Sequence, residues 1–336
     1  MPQRPIVVFA MFPMFTGEMF TPAHMDRLRA ICELPDEEPL VAFEDERAAA
    51  LLARAEVLLS GWGCPVVDGR VLDRAPRLRA IVHAAGTVKL HLGEECWERG
   101  LAVTAAAAAN ALPVAEYTLA AILFANKKAF RLQRAYRESR AFQFWPAVAP
   151  GLGNYGKVVG IVGASHIGRR VIELLRPFDL TVRVYDPYLS EEQARALGVE
   201  RRELDELLCE SDVVSLHAPA LPETRHMLDR RRLALLRDGA TLINTARGWL
   251  VDGEALAAEL VSGRIDAVID TTEPEVLPAD SRLYELPNVF LTPHIAGAMG
   301  TETRRMADLA IEEIERLVRG EPFRHGIRRE DLARIA

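Results

Sequence analysis

Cysteine is scarce in this chain, and its placement excludes more than it suggests. Cys32, Cys64, Cys96 and Cys209 are widely scattered, with no Cys-x-x-Cys pair and no histidine at zinc-ligand spacing. No metal site is therefore expected, and the four read as reduced thiols of a cytoplasmic protein. Excess positive charge is also lacking: 41 Lys and Arg stand against 48 Asp and Glu, for a net charge of -7. Neither nucleic acid nor an anionic membrane is expected as a partner, and an anionic substrate must be drawn in by a local site. No apolar run approaches the ~20 residues that span a bilayer. The one stretch resembling a secretion-signal core, residues 6–15, is interrupted by Pro13 and followed by no small-residue cleavage site. Residues 6–10 read instead as a buried strand. Repeats and low-complexity tracts are missing beyond an alanine run at 105–109.

What is present fits an enzyme of about two domains at the usual ~100 to 200 residues each. The chain has 336 residues, 49% hydrophobic and 26% charged, enough to bury real cores. Residues 1 to about 110 alternate short apolar runs, at 6–10, 40–43, 57–60, 78–83 and 101–104, with helical patterns. That alternation predicts a parallel α/β sheet. Thr21-Pro22 predicts a helix start, an N-cap followed by proline in the first turn, and residues 12–20 read as a loop. An alanine-rich stretch from Leu112 to about Phe130 predicts one long helix. Residues 131–150 read as an irregular arm rich in Arg, Phe and Trp, serving either as a dimer contact or as a packed loop. A second series of apolar runs follows at 158–162, 182–185, 213–217, 241–244, 267–270 and 289–291, the spacing of a doubly wound sheet. A last helix, about 301–319, is expected to end at Gly320.

The run at 158–162 leads into Gly163-Ala164-Ser165-His166-Ile167-Gly168 and an amphipathic helix, a dinucleotide fingerprint with Ser165 in place of the middle glycine. The next strand ends at Asp186, where an acid either receives the ribose hydroxyls of a dinucleotide or caps a turn. A carboxylate there repels a 2'-phosphate, and Pro187-Tyr188-Leu189 supplies no cation to receive one, so NAD is expected rather than NADP. Asp270 either accepts a hydrogen bond from the nicotinamide carboxamide or is a strand-end turn residue. His217, in His217-Ala218-Pro219, is a packed or cofactor-flanking histidine.

Three further residues follow strands of this second series: Arg247 in Asn244-Thr245-Ala246-Arg247-Gly248, Glu275 in Glu273-Pro274-Glu275, and His294 in Thr292-Pro293-His294. Reduction of a 2-keto acid needs a carboxylate anchor, a polarised ketone and a proton for the developing alkoxide. The planar, permanently charged fork of Arg247 suits the first two tasks. His294 suits the third, with Glu275 as the carboxylate that stabilises its imidazolium. Singly, each has a plainer reading: a salt-bridge arginine, a structural histidine, a solvated loop acid.

Together these residues resemble the D-isomer-specific 2-hydroxyacid dehydrogenases, of the phosphoglycerate and glycerate dehydrogenase-like kind. The resemblance covers nearly the whole chain. It is carried by Gly160-Ile161-Val162-Gly163 with Ile167-Gly168, Ser215-Leu216-His217-Ala218-Pro219, Asn244 to Gly248, Asp270 to Pro278, and Leu286-Pro287-Asn288-Val289 leading to Pro293-His294-Ile295. It implies two doubly wound domains: a Rossmann NAD-binding domain, 116–300, inserted into a flavodoxin-like substrate domain made of 1–115 and 301–336, with the active site in a cleft between them. Implied for the cofactor are Gly163, Ser165, His166, Ile167, Gly168, Asp186, His217, Pro219, Thr245, Ala246 and Asp270. For the substrate, a small 2-keto or 2-hydroxy acid, Ala85-Gly86-Thr87 resembles a carboxylate-holding loop and Asn110 matches an asparagine near the substrate, beside Arg247. Arg247, His294 and Glu275 form the implied catalytic set. The family's glutamate lies five residues after the aspartate, which selects Glu275 over Glu273.

Two departures stand out: Val276 replaces a proline, and Val88-Lys89 stands where an acidic and a polar residue are common. Lys89 either adds positive charge or is solvated, and Trp62 either walls the pocket or is a core residue. A homodimer is implied as well. The competing readings are formate oxidation, which would carry glutamine in place of Glu275, and a non-catalytic NAD-sensing corepressor-like scaffold.

Overall fold

The computed structural model describes residues 4–142, 144 and 151–333. The chain divides into two compact units, Met1–Ala111 with Ala298–Ala336, and Leu112–Gly297.

In the first unit, β1 (Val7–Ala10), β2 (Val57–Ser60), β3 (Ala80–His83) and β4 (Ala102–Ala105) pair in parallel in that order, and β12 (Gly326–Ile327) adds an antiparallel edge beside β4. All residues of β1, β2 and β3 are buried. They are covered by helices on both faces, as parallel sheets require. Helix Pro22–Ile31 opens on Thr21, whose Oγ accepts the His24 N–H while His24 Nδ1 accepts the Thr21 N–H. It packs beside the final helix, Thr303–Val318, through Arg27, which pairs with Asp308 at 2.9 Å and Glu315 at 3.0 Å.

Two expectations for this unit are corrected. Residues 40–43 form no strand. Leu40 makes a single bridge to Ala10, beyond which the Phe43 N–H goes to the Glu44 carboxylate and the Phe43 carbonyl to Arg74. Side chains thus take the groups a ladder would need. Counting that bridge as a second strand, the order becomes the 2-1-3-4-5 of flavodoxin-like folds. Residues 12–20 are not simply a loop, because Pro13–Met19 is a helix with proline in its first turn, and Met19 anchors it in the core. Its seven residues, Pro13-Met14-Phe15-Thr16-Gly17-Glu18-Met19, bury only Met19, so no amphipathic period marks it.

Among its described residues the second unit holds seven parallel strands: β5 (Lys157–Val162), β6 (Leu180–Tyr185), β7 (Glu200–Arg201), β8 (Val213–Leu216), β9 (Thr241–Asn244), β10 (Asp266–Ile269) and β11 (Val289–Leu291). They are ordered β11-β10-β9-β8-β5-β6-β7, the 3-2-1-4-5-6 arrangement of Rossmann folds extended by one strand. The order reverses between β5 and β8, so the loops after these strands splay apart at the carboxyl edge where such folds bind ligands.

The long helix is Ala107–Asn126, starting five residues earlier than expected because Ala107 to Ala109 favour helix. At 20 residues, with a mean hydropathy of 1.4 over its most apolar 18, it is long and apolar enough to cross a membrane, contrary to the expectation that no apolar run approaches that length. Ala115, Ala121, Ile122 and Ala125 belong to the core of the second unit, which accounts for its composition. The helix stops before Lys128, which is left-handed (φ 51°) and pairs with Asp266 at 2.8 Å. The arm is helical where it was expected to be irregular: Ala129–Ser139 forms a helix with no fully buried side chain, attached at its start by Phe130 stacked on Phe290. Gln143 and residues 145–150 of that arm lie outside the described residues.

Candidate active site

At the switch point, β5 runs into Gly163, whose φ is 101°. A Cβ there would lie 2.7 Å from the Ala218 nitrogen, and one on Gly168 would lie 2.0 Å from the Gly163 oxygen. Gly163 needs glycine because the turn folds against the strand-end segment His217-Ala218, and Gly168 because the helix start packs on the Gly163 carbonyl. Ser165, between them, is the N-cap of helix His166–Leu175, and its Oγ accepts the Gly168 N–H at 3.4 Å. His166 is exposed and Ile167 half-buried in the first turn. The helix has ten residues and no acidic residue in its first turn, so its free N-terminal amides can receive a phosphate. Asp186 accepts the Ala164 N–H at 2.7 Å through Oδ2 and the Tyr188 N–H at 2.8 Å through Oδ1. It therefore ties the glycine turn to the loop after β6, and each oxygen keeps a lone pair for a further donor.

His217 is 3% exposed. Its Nε2 lies 2.9 Å from Ser215 Oγ, and its Nδ1 is buried without a partner. Burial pushes its pKa down to about 3, so it is neutral. That state fits a packed, cofactor-flanking histidine rather than a second proton donor.

Beyond β9, Asn244 shapes the next loop: its Oδ1 accepts the Ala246 N–H at 3.1 Å and its Nδ2 donates to the Arg247 carbonyl at 2.9 Å. Thr245 is buried, its hydroxyl 3.1 Å from that of Thr118. At Gly248 a Cβ would come within 2.1 Å of the Thr272 carbonyl carbon and 2.4 Å of the Glu273 nitrogen. Backbone packs directly on backbone here, which sets the Arg247 loop against the loop carrying Glu275. Desolvation lowers the Arg247 pKa and the field of Glu275 raises it. The guanidinium donates to the Ala246 carbonyl at 2.6 Å, and among the described residues no carboxylate lies within ion-pair distance of it.

Asp270, 2% exposed after β10, organises the third loop. Its Oδ1 accepts the Thr292 hydroxyl at 2.6 Å and the Ile295 N–H at 2.8 Å, and its Oδ2 accepts the Ala296 N–H at 2.9 Å. The Asp270 carbonyl accepts the His294 N–H at 2.9 Å. These bonds hold His294 in a left-handed conformation (φ 55°), sparsely populated for a residue with a Cβ. The imidazole is presented outward, Nδ1 2.6 Å from Glu275 Oε1. Glu273 faces the other way, 3.7 Å from both Arg225 and His226. The two glutamates, two positions apart, thus have separate partners. Tyr117 supports the same loop, its hydroxyl 2.8 Å from that of Thr292. Reading the sequence missed Thr118, Thr292 and the supporting contact of Tyr117, because nothing local connects positions 175 residues apart.

In the first unit, Ala85 is buried, while Gly86 and Thr87 are half-buried in the loop after β3. A Cβ on Gly86 would sit 3.3 Å from Asn110 Nδ2, and Asn110 Oδ1 accepts the Ala298 N–H at 3.0 Å. Asn110 therefore braces this loop. Trp62 is half-buried, its ring 5.0 Å from that of Phe15.

The family profile described as "D-isomer specific 2-hydroxyacid dehydrogenase, NAD binding domain" matches residues 119–296. Among curated relatives, D-3-phosphoglycerate dehydrogenase of Methanocaldococcus jannaschii is 31% identical over 89% of this chain and 57% of its own length. Glyoxylate reductase of Korarchaeum cryptofilum is 35% identical over 76% of this chain and 77% of its own. The chain thus spans little more than half of the first of these relatives and three quarters of the second. Among solved structures, a phosphoglycerate oxidoreductase from Rhizobium etli superposes with a TM-score of 0.81 at 26% identity, covering 97% of this chain and 98% of that one. With the glycine turn, the Arg247 loop and the His294–Glu275 pair on a Rossmann sheet, these matches establish that the chain belongs to the D-isomer-specific 2-hydroxyacid dehydrogenases, a family of NAD-binding oxidoreductases.

Proposed function

We propose that the protein interconverts a small 2-keto acid and its D-2-hydroxy acid, with Arg247 as substrate anchor and His294 with Glu275 as the acid–base pair. The observation that carries this reading is the 2.6 Å contact between His294 Nδ1 and Glu275 Oε1, which leaves Nε2 as the ring nitrogen able to exchange a proton with substrate. Bound NADH would supply the hydride for the carbonyl carbon. The Arg247 fork anchors the carboxylate and polarises the keto oxygen, its charge uncompensated by any carboxylate in contact. His294 Nε2 gives its proton to the oxygen that becomes the hydroxyl, and Glu275 stabilises the imidazolium before transfer. In the oxidative direction the neutral ring takes that proton back.

The residues present fit the cofactor. The Gly163–Gly168 turn leaves helix amides for the pyrophosphate, and Asp186 keeps lone pairs for the ribose hydroxyls. Ser165, His166 and Ile167 line the turn, while His217, Pro219, Thr245 and Ala246 come from the neighbouring strand-end loops. Asp270 Oδ2, with one acceptor position left, suits the carboxamide. The same reading gives Ala85, Gly86, Thr87 and Asn110 a part in holding the substrate.

The same reading takes the enzyme as a cytoplasmic homodimer with neither nucleic-acid nor membrane partners. Exposed Tyr136, Phe142 and Phe144 on and after helix Ala129–Ser139 support a contact there, and four free cysteines suit a reducing compartment.

The experiment is NADH oxidation, followed by absorbance, against a panel of 2-keto acids with NADPH in parallel. Saturable turnover favouring NADH is expected. Tight NADH binding with no turnover of any acid would favour the sensor instead.

A further inference from the structure

Resting on that reading, we infer that the substrate carries a large apolar side chain, branched aliphatic or aromatic, and that Phe12 and Trp62 are the walls that select it. Strand register brings the argument to one line: Ala10, Ser60, His83 and Ala105 pair across β1, β2, β3 and β4 as one row. The ladder continues past the strand ends, with Gly61 N–H on the Ala10 carbonyl, Ala84 N–H on Ser60 and Ala106 N–H on His83. Two residues beyond the row stand Phe12, Trp62, Ala85 and Ala107, so the two rings rise from the same sheet edge, Trp62 after β2, which lies beside the strand that leads into Ala85-Gly86-Thr87, and Phe12 after β1, one strand further. None of the eight residues in the first two positions past the row is charged.

The rings are fixed in place. The Phe12 N–H donates to the Trp62 carbonyl at 2.8 Å. Phe15 meets Trp62 edge-on at 5.0 Å and lies 6.5 Å from Phe12. Gly63 (φ 81°) would put a Cβ 2.2 Å from the Phe12 ring, so that ring lies flat on the loop only because position 63 has no side chain. Yet Phe12 stays 49% exposed and Met14, on the helix between, 72%. A benzyl group held rigidly in water by a dedicated glycine serves an apolar ligand better than it serves the core. Glyoxylate has no side chain to place there, and a phosphate would meet aromatic carbon.

The test measures kcat/KM with NADH for glyoxylate, pyruvate, 4-methyl-2-oxopentanoate, phenylpyruvate and 3-phosphohydroxypyruvate. Each buried methylene is worth roughly fourfold, so phenylpyruvate and 4-methyl-2-oxopentanoate should exceed glyoxylate by about 100-fold or more. Trp62→Ala and Phe12→Ala should each lower the phenylpyruvate-to-glyoxylate ratio by about tenfold. A preference for glyoxylate or 3-phosphohydroxypyruvate overturns the inference while leaving the roles of Arg247 and His294 intact, as does a ratio that neither variant moves. Turnover of no acid by enzyme that binds NADH overturns both.

Discussion

Acid should destabilise this protein through two histidines before it touches the carboxylates. His83 ends β3 at 1% exposure, and His217 follows β8 at 3%. Burial is the main cause of the low pKa of both, with His91, its ring 5.3 Å away, adding to the effect at His83, and each is pushed from 6.5 down to about 3. Between pH 6.5 and 3 the unfolded chain therefore binds two protons that the folded chain refuses, so stability falls as pH falls through that window. Each group costs about 1.4 kcal/mol per pH unit once well below 6.5. At pH 5 the loss relative to pH 7.5 is about 2 kcal/mol per histidine, about 4 kcal/mol together, against a typical total of about 5–15 kcal/mol. One histidine lies in each compact unit, so each unit should show its own share. The assay is urea denaturation at pH 7.5, 6 and 5, on the parent and on His83→Asn and His217→Gln. Asparagine keeps the polar position of Nδ1 that meets Ser60 at 2.9 Å, and glutamine that of Nε2 that meets Ser215. Each variant should lose roughly half of the pH 7.5-to-5 difference. An undiminished difference in the double variant would refute the reasoning.

Other outcomes follow from the site. Arg247→Ala removes two charge-assisted hydrogen bonds of about 1.5–3 kcal/mol each, so kcat/KM for any 2-keto acid should fall by about 10² to 10⁴, and an unaltered value would remove its role. Gly248→Ala forces a methyl into the backbone of Thr272 and Glu273. It should cost about 1–3 kcal/mol of stability and at least about 100-fold in kcat by shifting Arg247 and Glu275 apart, and near-normal kinetics would show that the two loops do not need this contact. Asp186→Ser should reduce the preference for NADH over NADPH roughly tenfold or more by removing one carboxylate's repulsion. An unchanged ratio would leave Asp186 as a turn cap only.

Much of this was legible in the sequence because buried parallel strands must be short apolar runs. Residues 57–60, 241–244 and 289–291 were read at the bounds the structure shows. Residues 40–43 carry the same kind of pattern but lose their ladder to Glu44 and Arg74, a tertiary outcome no local propensity records. Helix Ala129–Ser139 was missed because none of its side chains is fully buried and only Phe130, at its start, stacks on Phe290. In the site, residue types and spacing pointed to Arg247, Glu275 and His294, since each chemistry admits few side chains. The supports were hidden: Asp270 gathers Thr292, Ile295 and Ala296 from more than 20 residues away, and Gly248 matters for atoms of another loop. Such contacts are fixed by strand order, which brings β9, β10 and β11 side by side, and not by neighbours in the chain.

The most direct measurement of the central claim is His294→Ala, assayed for turnover of the best 2-keto acid and for NADH affinity on the same sample. Loss of the proton donor predicts kcat lower by about 10² to 10⁴, with the NADH dissociation constant within about twofold of the parent, because no contact of the imidazole itself supports the glycine turn. Turnover within tenfold of the parent, or an equal loss of NADH binding, would contradict the account.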